Sequence, residues 1–190
     1  MDFETFSERR LKYVTGLLIR AVVCAVFGAV FALNAYLAPP DVRPHFLCAI
    51  LILIGLASLN APLWLIGKWA AFPLRHFYGH WLVDLLAVTA VLHVLGGVEL
   101  PYGSVGYMIM ILTSAVFLSE RASFVVAGAS AVCFDGLVAA EYFSIVPRYV
   151  YIWAHDYSGT AQLFIVLASD VFFFLFAYLA GSLAEQLKRA

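Results

Sequence analysis

Five ionisable side chains lie inside long apolar stretches of this sequence: Arg20, Asp84, His93, Asp135 and Asp170. An arginine can pair with a carboxylate, and a histidine near carboxylates can pass a proton or bind a polar ligand. Charges in an apolar membrane setting are costly, so they usually face the protein interior and pair there. These five residues are therefore the first candidates for function.

Arg20 and Asp84 form the first candidate pair. The helices predicted below place them at nearly the same depth from the same side of a membrane, since a helix rises about 1.5 Å per residue. An arginine–carboxylate pair at that depth would neutralise both charges. We expect a structural ion pair that clamps two helices together. The alternative is a switch whose breakage changes the packing of the helices.

His93, Asp135 and Asp170 form a second group, which the predicted helices place near the middle of the bilayer. Two adjacent ionised carboxylates would repel, so we expect at least one to be protonated, or the two to face different neighbours. With His93 they could relay protons or bind the polar head of a ligand. They could equally serve only as hydrogen-bonding contacts between helices. No second histidine is near, so we expect no metal site.

The composition requires that lipid surround these residues. Hydrophobic residues make up 64% of the 190 and charged residues 12%, with a mean hydropathy of +0.95. A soluble domain is about half apolar and a quarter charged. Long unbroken apolar runs indicate helices rather than the alternating strands of a barrel. The sequence therefore predicts an all-α, polytopic membrane helix bundle that forms a single domain over residues 1–190.

A membrane span needs about 20 mostly apolar residues. By this criterion, and with Pro, Gly and charged residues as boundaries, we predict six spans. They cover residues 13–38, 46–67, 79–98, 104–119, 122–146 and 159–183, and the last helix runs on into residues 183–190.

Lysine and arginine residues predict the orientation, because they concentrate on the cytoplasmic side. With six spans, one side holds Arg9, Arg10, Lys12, Lys68, Arg75, Arg121, Lys188 and Arg189, and the other holds Arg43 and Arg148. We therefore expect a multi-pass membrane protein with both termini cytoplasmic. The net charge of −1 predicts no nucleic-acid partner. The sequence has no motif for phosphate binding, serine hydrolysis or metalloprotease chemistry, so we predict no catalytic residue in this chain.

The third predicted span and the loop after it carry a recognisable pattern. Asp84 lies early in the span, Gly96-Gly97 end it, and Pro101-Tyr102 begin the loop. This pattern resembles the six-helix N-terminal membrane module of bacterial sensor histidine kinases of the pilus-regulating and redox-responsive types. Further segments resemble that module over nearly the whole chain: Arg9-Arg10-Leu11 with Arg20, Ser119-Glu-Arg-Ala-Ser123, Glu141-Tyr-Phe with Pro147, and Leu183-Ala-Glu-Gln-Leu-Lys-Arg.

The resemblance implies a sensor or input module of a two-component system. The last helix would pass a signal to a cytoplasmic kinase or output domain, and the protein would reside in a bacterial inner membrane. A quinone, another hydrophobic ligand or a membrane-borne partner would supply the signal. The outer sensing loop would comprise Gly96, Gly97, Glu99, Pro101 and Tyr102.

Leucines spaced four residues apart in the last helix predict pairing of two chains. Leu179, Leu183 and Leu187 would form a stripe on one face. Such a stripe can pair with a second copy of itself, as in a dimeric signalling helix. We therefore expect a homodimer formed through the last helix and its extension.

Two other functions fit a small six-helix membrane protein. One is the substrate-binding membrane subunit of a vitamin transporter, which would bind its substrate tightly and need an energising partner. The other is an accessory subunit of a larger membrane complex, in which the buried polar residues would serve only in packing. Ligand binding by the purified protein would favour the first, and loss of complex assembly on deletion would favour the second.

Overall fold

A computed structural model of the protein describes residues 6–69, 74–97, 103–147 and 159–189. Every regular element in these ranges is an α-helix. The helices are α1 (Phe6–Leu37), α2 (Arg43–Ser58), α3 (Asn60–Trp69), α4 (Leu74–Val94), α5 (Val105–Phe117), α6 (Glu120–Tyr142) and α7 (Gly159–Arg189).

The all-α membrane fold predicted from the composition is confirmed. Four segments are long and apolar enough to cross a membrane, at Tyr13–Leu37, Arg43–Leu65, Glu120–Tyr142 and Gly159–Leu187. Two shorter apolar helices lie at Gly79–Val94 and Val105–Phe117. Many large apolar side chains on these helices are exposed, among them Leu18, Leu51 and Phe164. Such side chains would be unstable in water over so much surface, so lipid must cover them.

The second predicted span is not one continuous helix but is divided into two. α2 ends at Ser58 and α3 begins at Asn60. Pro62 explains the break, because proline has no N–H to donate and its ring clashes with the carbonyl four residues earlier, here that of Ser58. The Leu63 N–H still donates to the Leu59 carbonyl at 3.2 Å, so the chain continues in the same apolar segment.

The fifth predicted span, now α6, begins and ends with specific caps. Ser119 precedes it, and its side-chain oxygen accepts a hydrogen bond from the Ala122 N–H at 3.2 Å. The helix ends at Tyr142, four residues before the predicted end at residue 146. Ser144 has φ +58°, and the Ile145 N–H donates to the Ala140 carbonyl at 2.8 Å. This left-handed cap, rather than Pro147, terminates the helix.

The chain forms two compact units, Met1–His80 (unit 1) and Trp81–Ala190 (unit 2). In unit 1, α1 packs on α2 and α3. The Tyr13 hydroxyl donates to the Leu63 carbonyl at 2.8 Å, and the Asn60 side-chain amide donates to the Leu17 carbonyl at 3.2 Å. Two polar side chains thus fasten α1 to α3 through main-chain carbonyls.

Unit 2 has an aromatic core in which α5, α6 and α7 meet. The rings of Tyr107, Phe134 and Phe173 have centroids 5.5 to 6.1 Å apart. All three side chains are buried. The Tyr107 hydroxyl lies 2.7 Å from the Thr89 hydroxyl, which donates to the Leu85 carbonyl at 2.7 Å. Tyr107 therefore donates to Thr89, and its polar group is satisfied within the core.

Candidate functional site

A turn of two glycines ends α4 and creates space for a carboxylate. Gly96 has φ +122° and Gly97 has φ +61°, conformations that residues with side chains rarely adopt. A Cβ atom at Gly97 would lie 2.6 Å from Glu141 Cδ and against both carboxylate oxygens. Glycine is therefore needed at position 97 for two independent reasons, the backbone angle and the approach of Glu141.

The carboxylate on this turn belongs to an ion pair between α4 and α6. His93 Nδ1 lies 2.9 Å from Glu141 Oε1. Glu141 is only 5% exposed and His93 20% exposed. When the glutamate is ionised, the imidazole N–H donates to it, which gives a charge-assisted hydrogen bond. We call His93, Gly97 and Glu141 the glycine-turn site.

The glycine-turn site lies at the ends of its two helices. His93 is in the last turn of α4, and Glu141 is the penultimate residue of α6. A group in such a position can be reached from the edge of the membrane. Such a pair can also exchange one partner for a polar ligand, which would change the contact between α4 and α6.

Contacts at both ends of α6 define its antiparallel pairing with α7. A Cβ at Gly181 would lie 2.7 Å from Glu120 Cγ, and a Cβ at Gly159 would lie 3.3 Å from Tyr142 Cε2. Position 135 is therefore paired with position 166, one helical turn from Asp170, or about 6 Å along the axis. The two carboxylates are close enough to interact electrostatically.

The three residues of the predicted mid-membrane cluster thus have different settings. His93 contacts Glu141, which was not among the predicted site residues. Asp135 lies six residues from Glu141 on α6, or about 9 Å along the helix. Asp135 and Asp170 both lie in the α6–α7 interface, whereas His93 contacts the Glu141 carboxylate at the turn that ends α4.

Arg20 belongs to unit 1, where its guanidinium donates to Asn60 Oδ1 at 3.3 Å and to the His80 carbonyl at 3.5 Å. Asn60 is therefore hydrogen-bonded both to the Arg20 side chain and to the main chain of α1. Asp84 belongs to unit 2. The Arg20–Asp84 ion pair stays a prediction. Three other predicted residues, Glu99, Pro101 and Tyr102, lie outside the described residues.

α7 approaches its neighbours through small side chains. Ala115 of α5 forms a buried cluster with Ala180 and Ala184 of α7. The Ser123 hydroxyl of α6 contacts the Ala177 carbonyl at 3.2 Å. In contrast to these buried small residues, the side chains of Leu179, Leu183 and Leu187 on the same helix are 55%, 56% and 70% exposed. One face of α7 is thus packed in the bundle, and the leucine stripe is uncovered in a single chain.

Apolar helices long enough to cross a membrane, with an ion pair where α4 and α6 end, define a polytopic membrane domain. Comparison with known families matches residues 8–190 to the PilS-like transmembrane domain, a six-helix membrane domain. The chain belongs to this family, so the predicted resemblance is confirmed. The family consists of membrane sensor domains of histidine kinases, which favours a sensor over a transporter or accessory subunit. No curated protein and no solved structure shows significant similarity to the chain.

Proposed function

We propose that this chain is the input module of a two-component signalling protein in a bacterial inner membrane. A signal at the glycine-turn site changes the packing of α6, and α7 carries that change to a cytoplasmic kinase or output domain. Both termini are cytoplasmic in this proposal, as the distribution of Lys and Arg predicts. The ligand is a hydrophobic molecule such as a quinone, or a membrane-borne partner.

One observation carries the proposal. α7 is a single helix from Gly159 to Arg189, and its first residue lies against Tyr142, the neighbour of Glu141. From there α7 packs along both α5 and α6. A rigid helix of this length, about 45 Å by its rise per residue, can transmit a small displacement from one end of the bundle to the other.

A fusion protein tests this proposal. Residues 1–190 are joined in helical register to the catalytic part of a sensor histidine kinase, and autophosphorylation is measured in lipid nanodiscs. Glu141→Ala should change the rate at least several-fold, because the bundle loses the pair that fixes α6 against α4. The control is Ile145→Ala, an exposed residue (75%) just beyond the same end of α6. Equal rates for Glu141→Ala and wild type, with both proteins folded, would refute the proposal.

Two chains are proposed to associate through the leucine stripe of α7. The support is the exposure of Leu179, Leu183 and Leu187 on a helix whose other face is packed. Disulfide cross-linking of a Leu187→Cys variant in membranes should give a covalent dimer. A cysteine at Phe164, exposed near the other end of α7, provides the comparison. Equal cross-linking at both positions would contradict a dimer specified by the stripe.

The Arg20–Asp84 ion pair is also a proposal, and its support comes from the sequence alone. Both residues lie at similar depth in their predicted spans, and an unneutralised charge at that depth would be costly. Asp84→Ala should destabilise the protein or alter its output. Wild-type output from a stable Asp84→Ala protein would remove the ion pair from the account.

A further inference from the structure

The interface of α6 and α7 contains three buried oxygen atoms that have no hydrogen-bond partner among the described residues. They are Asp135 Oδ1, Asp170 Oδ1 and Gln162 Oε1. Gln162 is only 3% exposed, so its side-chain carbonyl is fully removed from the surface. A buried acceptor without a donor destabilises the folded protein. Three such oxygens in one interface therefore point to a bound donor.

The pairing of α6 with α7 places these oxygens in a row. Position 135 of α6 is paired with position 166 of α7, and Gln162 and Asp170 each lie one turn from position 166. Each step is about 6 Å along the axis. Asp135 is thus central, between a carbonyl on one side and a carboxylate on the other. At this axial spacing, one water can bridge Asp135 to either neighbour.

The remaining ionisable groups determine which donor fits. On the helices of unit 2, the other described ionisable side chains are Asp84 and His93 of α4, Tyr107 of α5, Glu120, Arg121, Cys133, Glu141 and Tyr142 of α6, and Tyr178 and Glu185 of α7. Arg121 is about 21 Å from Asp135 along α6. His93 contacts Glu141. A permanent cation therefore does not face Asp135 from its own helix, and His93 is engaged elsewhere.

We propose that Asp135 binds a proton in the α6–α7 interface and donates it, as a hydrogen bond, to Asp170 or to Gln162. A proton turns one of the three acceptors into a donor and removes one of two neighbouring negative charges. The site would belong to the proposed sensor module, but its test does not depend on a signalling output. An alkali-metal ion bound by the same oxygens is the alternative that the experiment separates.

Infrared spectroscopy of the full chain in nanodiscs tests the proposal directly. A protonated carboxyl group gives a C=O stretching band that an ionised one lacks. Wild type should show this band at neutral pH, and Asp135→Asn should lose it. Glu185→Gln, which changes an exposed carboxylate of the same α7, should retain it. Absence of the band in wild type, or its persistence in Asp135→Asn, would overturn the proposal.

Thermal stability provides a second test. Because the folded bundle binds the protonated form, wild type should be most stable at acidic pH and lose stability as rising pH removes the proton. Asp135→Asn is a neutral isostere of the protonated side chain, so its midpoint should vary less with pH. Stability that follows sodium concentration, and is unaffected by pH in a choline buffer, would assign the site to a metal ion and overturn the proposal.

Discussion

Replacing Gly97 with alanine should destabilise unit 2 by breaking the glycine-turn site. The new methyl group would lie 2.6 Å from Glu141 Cδ, closer than real atoms approach, so the carboxylate must move. Gly97 also has φ +61°. A residue with a side chain pays roughly 1–2 kcal/mol in this left-handed region. Alanine recovers about 0.4–1 kcal/mol because it restricts the unfolded chain.

The displaced carboxylate adds a larger cost. Glu141 is 5% exposed and its bond to His93 is 2.9 Å long. A hydrogen bond to a charged group contributes about 1.5–3 kcal/mol. Together with the backbone effect, the Gly97→Ala variant should lose about 2–4 kcal/mol of unfolding free energy. The measurement is reversible unfolding in mixed micelles with increasing SDS, followed by tryptophan fluorescence and circular dichroism.

A double-mutant cycle separates the two causes. In a Glu141→Ala background no carboxylate remains to be displaced, so Gly97→Ala should cost only the backbone part, about 1 kcal/mol or less. Gly136→Ala is the control, since it lies in α6 with open space around its Cβ position, and it should not destabilise the protein. Additive effects of Gly97→Ala and Glu141→Ala would refute the reasoning, because they would show that the two residues do not interact.

Three other substitutions test the packing of the bundle. Gly181→Leu should destabilise unit 2 by about 1–3 kcal/mol, measured by the same unfolding assay, because a Cβ there already lies 2.7 Å from Glu120 Cγ. Tyr107→Phe should cost about 1 kcal/mol, since it removes the hydroxyl that contacts Thr89 and keeps the ring. Asn60→Leu should increase hydrogen exchange of α1 in unit 1 relative to unit 2, because the side-chain amide holds the main chain of α1.

The class of fold could be predicted from the sequence because membrane insertion of a helix depends on the mean hydropathy of a whole segment and not on any single residue. Six apolar runs were evident in the sequence; four correspond to segments that are long and apolar enough to span lipid, and two correspond to shorter apolar helices. The division of the second span into α2 and α3 was not predicted. Pro62 interrupts the helix at the carbonyl of the residue four positions earlier, so the break does not occur at the proline itself. The early end of α6 depended on the left-handed conformation of Ser144, which serine rarely adopts and the sequence does not indicate.

Two residues of the candidate site, His93 and Gly97, were candidates from the sequence, but Glu141 and its contact with His93 were not. The glycines after α4 and the ionisable residues in the spans were evident from the sequence alone. The partner of His93 was not, because Glu141 is 48 residues away and its contact depends on how α4 and α6 pack. A carboxylate near a helix end usually faces water, so its type and position gave little reason to expect a buried side chain.

The measurement that tests the central claim most directly is the movement of α7 when the glycine-turn site is broken. Spin labels at Arg121 and Leu187, in a background with the native cysteines replaced by alanine, report the distance between the start of α6 and the end of α7. The account predicts that Glu141→Ala shifts the distance distribution in nanodiscs, whereas Ile145→Ala leaves it unchanged. Identical distributions for wild type and Glu141→Ala would contradict the claim that α7 carries a signal from this site.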